Sequence, residues 1–137
     1  MKHQRFDWQA WVAKAGHDRL CIANNLRSAD VPWDTVCFHA QQYAEKVLKA
    51  WLVAHGCEVR RTHDLVALLS ACVAGDPSLA HLEEDCRRLN AYAAEVRYPE
   101  ELAEPGREEG LDAVSVADRI GAVVLARLSA DGAPRRG

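Results

Sequence analysis

Four polar side chains, His39, Gln42, Lys46 and Lys49, recur at intervals of three, four and three residues. On a helix that spacing places them on one face. An imidazole, an amide and two ammonium groups in one strip have the chemistry to meet the phosphates of a nucleotide or of RNA. The same pattern also describes a solvated helix face, with Glu45 and Lys49 as an ordinary i,i+4 ion pair. Further along, His63 and Asp64 offer a second imidazole beside a carboxylate. His63 there suits acid–base work; alternatively, both residues only begin a helix. The third group is Arg97-Tyr98-Pro99. A guanidinium matches phosphate oxygens in a bidentate way, and Tyr98 can stack on a base. Read structurally, Arg97 complements the negative end of a helix and Pro99 stops it.

The elements that must position these groups are helices. Apolar residues recur at helical spacing over about residues 8–26, where Trp8, Trp11, Val12, Ala15, Leu20, Ala23 and Leu26 form the expected inner face. A second helix is expected from Asp30-Val31-Pro32, with Asp30 as cap and Pro32 in the first turn. It runs to His55, and Gly56 closes it. Val36, Ala40, Tyr43, Val47, Ala50 and Ala54 form its stripe; Cys37, Ala44, Leu48, Trp51 and Leu52 widen it. A helix so broadly apolar belongs in the centre of a bundle. Thr62 is expected to cap a third helix with His63 and Asp64 in its first turn. Asp76 and Pro77 begin a fourth that runs to about Val96. An exposed loop covers 97–110, five of whose fourteen residues are acidic. A fifth helix covers about 111–128. No segment alternates as a strand does. The spacing thus predicts an all-α, antiparallel up-and-down bundle of about five helices over residues 1–128, with a small polar tail, 129–137, expected to be disordered.

Composition narrows the function classes. The chain has 137 residues, 49% of them hydrophobic, enough for one core without a metal or disulfide. Lys plus Arg is 17 against 20 for Asp plus Glu, a formal charge of −3, which argues against broad duplex binding. The cysteines Cys21, Cys37, Cys57, Cys72 and Cys86 are odd in number and form no CxxC pair. They read as thiols in a reducing cytoplasm. The start has no apolar signal core, and no apolar run is long enough to span a membrane. There is no paired-carboxylate site, zinc-ligand spacing, phosphate loop or dinucleotide fingerprint, so no metal or cofactor is expected.

Three blocks, in this order and at these separations, carry a resemblance. They are Cys37-Phe38-His39-Ala40-Gln41-Gln42-Tyr43-Ala44-Glu45-Lys46-Val47-Leu48-Lys49-Ala50, then Thr62-His63-Asp64-Leu65, then Val96-Arg97-Tyr98-Pro99. Together they resemble the HEPN domains, in particular small stand-alone prokaryotic ones, over about residues 8–128. The resemblance implies a helical bundle that forms homodimers. It also implies pairing with a small nucleotidyltransferase, commonly as a toxin–antitoxin couple. Many HEPN domains are metal-independent ribonucleases whose site is an Arg followed, after four to six residues, by a His. Here the last histidine is His81, and no histidine stands at that spacing after any arginine. The expectation is therefore a nucleotide- or RNA-binding interaction module linked to a nucleotidyltransferase, with Arg97, Tyr98, Gln42, Lys46 and Lys49 as binding residues. One alternative is a metal-independent ribonuclease with a rearranged site built from Arg97 with His39 or His63. The other is a non-catalytic dimeric scaffold.

Overall fold

A computed structural model describes residues 4–94 and 104–131, with side chains over 8–94 and 104–128. Arg97, Tyr98 and Pro99 lie outside the described residues. The chain forms α1 (Gln4–Leu26), α2 (Trp33–Ala54), α3 (Leu65–Gly75), a 3-10 turn (Pro77–Leu82), α4 (Glu83–Leu89), a second 3-10 turn (Asn90–Tyr92) and α5 (Arg107–Asp131). It is a helical bundle, with no strand among the described residues. None of these helices is long and apolar enough to cross a membrane.

α2 is the axis of the bundle. Its expected stripe is buried from Val36 to Ala50, and Trp51, Leu52 and Val53 continue it; Ala54 is half-buried. α1 packs against α2 in the opposite direction: Trp11 meets Lys49 near the end of α2, whereas Asp18 meets His39 and Lys46 earlier in it. The inner face of α1 differs from the expected one. Leu20 is 58% exposed, while Ile22 is fully buried. The helical phase runs through Ala15, Asp18 and Ile22, so a carboxylate occupies a core position and hides the true period from a reading of apolar residues alone.

Helix boundaries also move. Pro32, not Asp30, occupies the cap position of α2, with no side-chain cap bond. Asp64, not Thr62, caps α3: its Oδ1 accepts from the Val66 and Ala67 amides. Thr62 Oγ1 accepts instead from the Asp64 amide, one step earlier. His63 and Asp64 therefore precede the helix. Asp76 caps the next segment as expected, accepting from the Ser78 amide, but 77–92 is three short helices, not one. Leu79 and Leu82 are both fully buried, and their three-residue spacing suits a 3-10 turn, where i and i+3 eclipse. α5 begins at Arg107, inside the expected loop, and continues to Asp131, past the expected start of the tail.

Gly56, at φ +71°, turns the chain out of α2, and the Cys57 amide donates back to the Leu52 carbonyl at 2.8 Å. Residues 55–64 then return along α2. As a result α3 runs parallel to it: the His63 carbonyl meets Gln41, Cys72 Sγ meets the Leu48 carbonyl, and Gly75 faces Trp51. The other connections alternate. α4 opposes α5, as the pairs Asp85–Arg119 and Asp112–Arg88 show.

Candidate functional site

α2 is rich in helix formers and has no breaker, and among its apolar neighbours stand Gln41, Glu45 and Lys49, each four residues from the last. All three are buried, with Glu45 at 4% exposure. Glu45 is the hub. Its Oε2 accepts from Lys49 Nζ at 2.9 Å. Its Oε1 accepts from Gln41 Nε2 at 3.3 Å and Gln42 Nε2 at 3.4 Å, and lies 2.9 Å from His63 Nδ1. Burial pushes the Glu45 carboxyl up, but the hydrogen bonds from Lys49 and His63 outweigh it and hold the group below its ordinary value. Gln42 also donates to Gln41 Oε1 at 2.8 Å, and Lys49 sits 5.5 Å from the Trp11 ring centroid.

His63 is attached twice to α2. Gln41 Nε2 donates to its carbonyl at 3.0 Å, and its ring engages Glu45. The return of segment 55–64 and the Asp64 cap bring it there. Its side chain is nevertheless 69% exposed. A buried carboxylate thus anchors an imidazole that solvent, or a ligand, can reach.

A second cluster forms where α1 crosses α2. Asp18, buried, lies 2.8 Å from His39 Nδ1 through one oxygen and accepts from Lys46 Nζ at 2.5 Å through the other. Phe38 meets the His39 ring edge-on at 5.3 Å.

The expected polar strip is therefore divided. His39 and Lys46 join Asp18; Gln42 and Lys49 join Glu45 and His63. His39 and His63 do not share a carboxylate. Lys49 is not a surface cation in a solvated pair, because its side chain is 9% exposed. Lys46, at 23%, is held by Asp18. Both lysines are committed to carboxylates of the protein itself. Glu45, Asp18 and Gln41 were not among the expected site residues. A signal existed for Gln41 and Glu45, polar residues on a ridge of an otherwise buried helix; Asp18 showed only as a break in the apolar pattern.

Comparison with known proteins agrees with the architecture. The family model described as "HEPN domain" matches residues 8–127. Among solved structures, TT1696 from Thermus thermophilus is similar at a TM-score of 0.74 and 28% identity, covering 89% of this chain and 98% of that one. No curated protein sequence matches.

Proposed function

This chain belongs to the HEPN domain family, and we propose that it is a nucleotide- or RNA-binding module that works with a small nucleotidyltransferase in a toxin–antitoxin type system. The observation that carries the binding part is His63: an imidazole 69% exposed, yet anchored at Nδ1 by a buried carboxylate. A side chain held in place at the surface loses little freedom when a ligand arrives. Gln42 lies beside it, and Arg97 and Tyr98 remain candidates for phosphate and base. Lys46 and Lys49 serve in this reading by setting the two carboxylates in place, not by meeting phosphate directly. Five cysteines kept as thiols suit a reducing cytoplasm as its location. Homodimer formation belongs to the same proposal, and the exposed Leu20 on α1 is a residue such an interface would cover.

The test is fluorescence anisotropy of the full chain with a labelled single-stranded ribo-oligonucleotide and, in competition, ATP. Binding that weakens about tenfold in His63→Ala, the scale of one good hydrogen bond, is the expected result. Failure of the wild type to bind either ligand would overturn the binding reading. Failure to co-purify with a co-expressed small nucleotidyltransferase would overturn the partner reading.

The second reading is a metal-independent ribonuclease with a rearranged site. A carboxylate-backed histidine is the arrangement general bases use, which favours His63 over His39 because His39 is 20% exposed. Incubation with total RNA and no added metal tests it. Cleavage lost in both His63→Ala and Arg97→Ala supports it; intact RNA with the wild type excludes it.

A further inference from the structure

Glu45 does more than neutralise Lys49. Its carboxyl is held below the ordinary value, so near neutral pH it carries no proton and can only accept. The atom of His63 that it meets, at 2.9 Å, is Nδ1. A neutral imidazole has a single N–H, and opposite a bare carboxylate that N–H must be on Nδ1. The His63 carbonyl is fixed at the same time by Gln41, so the backbone supports the placement that the carboxylate imposes on the ring. The remaining ring nitrogen, Nε2, then bears the lone pair. It belongs to the edge of the ring turned away from the buried carboxylate, and the side chain is 69% exposed.

We propose that Glu45 is a positioning residue that makes neutral His63 a hydrogen-bond acceptor at Nε2, and that the ligand group it selects is a ribose hydroxyl. The ligand class rests on the binding reading above. A phosphate oxygen is itself an acceptor and gains nothing from a lone pair. The cations of α2 that would attract phosphate, Lys46 and Lys49, are held by Asp18 and Glu45, and the exposed Arg60 and Arg61 meet the same phosphates on a ribose or a deoxyribose strand. A sugar hydroxyl is a donor and completes the pair. This site therefore discriminates ribose from deoxyribose.

The first measurement is long-range proton–nitrogen NMR of the wild-type imidazoles at about pH 8.5, where an ordinary histidine is neutral. His63 is expected as the Nδ1–H tautomer. The second compares a ribo-oligonucleotide with its 2′-deoxy counterpart of the same sequence. The wild type is expected to prefer ribose about tenfold, the scale of one hydrogen bond left unmade. His63→Ala is expected to bind both strands alike, and Glu45→Gln to narrow the preference, because its amide can either accept from Nδ1–H or donate to Nδ1. A neutral His63 carrying its proton on Nε2 would overturn the positioning role. The Nδ1–H tautomer with equal affinity for the two strands would overturn the ribose assignment. Absence of binding to either strand overturns that assignment together with the binding reading, while the tautomer still decides the role of Glu45 separately. If Glu45→Gln does not fold, the wild-type tautomer and the His63→Ala arm decide both points.

Discussion

Glu45 and Lys49 form an i,i+4 pair of a kind that adds a few tenths of a kcal/mol on an exposed helix. Burial changes the scale. With the side chains 5% and 9% exposed, removing one partner strands the other charge. Glu45→Leu is expected to cost about 3–5 kcal/mol by urea unfolding, and the double variant Glu45→Leu/Lys49→Leu to recover much of that loss. The pH dependence follows from the direction of the carboxyl shifts. Glu45 sits below its ordinary 4.5, and hydrogen bonding to Arg119 holds Asp85 below its ordinary 3.8. A lowered folded value contributes stability above the unfolded value and loses it as pH falls through the folded one. The melting temperature should therefore hold steady from neutrality to about pH 5 and fall progressively below about pH 4.5. The thiols divide in the same way. Burial pushes Cys86 up to about 12, helped by the negative Asp85, and pushes Cys72 up further; Cys37 is buried too. A thiol reagent should titrate Cys21 and Cys57 in the native protein and the other three only after denaturation. Gln42, Lys49 and His63 could each be singled out in the sequence, but Gln41 and Glu45 could not be assigned to the site from it. Nor could it show that Glu45 gathers them, because His63 reaches Glu45 only through the path of the backbone between them.

At the level of the elements, α5 lies on α2 through two glycines eleven residues apart, three turns on one face. A Cβ at Gly110 would meet the ring of Trp33, and one at Gly121 the phenol of Tyr43. Alanine is normally the better helix former by about 1 kcal/mol, but here contact decides. Gly121→Ala is expected to destabilise by about 1–3 kcal/mol, because Tyr43 is buried and cannot move aside. Gly16→Ala, on the open side of α1 with nothing within 4 Å, should stabilise by about 0.5–1 kcal/mol. Thermal melts of the two variants, compared with the wild type, test the pair. The helices were legible because glycine, proline and capping aspartates separate them. The segment 77–92 was not, because the buried Leu79 and Leu82 fit a 3-10 turn as well as an α-helix. Nor could the composition of α5 show that its two glycines face Trp33 and Tyr43 of α2.

For the molecule as a whole, one core links all five helices, and arginine–aspartate pairs tie α5 to its neighbours: Arg19–Asp118, Arg88–Asp112, Arg119–Asp85 and Arg127–Asp76. Each has at least one half-exposed partner, so together they fix alignment more than they add stability. A bundle was evident from the sequence, but the parallel run of α3 was not, since short connections suggest simple alternation. The return segment 55–64 makes the difference, and it joins two pieces that share this one core. One is the α1–α2 hairpin; the other is α3 to α5. Arg60 and Arg61 lie exposed in the middle of that segment. Brief trypsin treatment should cut there first, and the two fragments should elute together from a sizing column, held by the buried surface between them. Expressed separately, the fragments should find each other in the cell, so this small domain could serve as a split reporter whose reassembly restores the contact between His63 and Glu45.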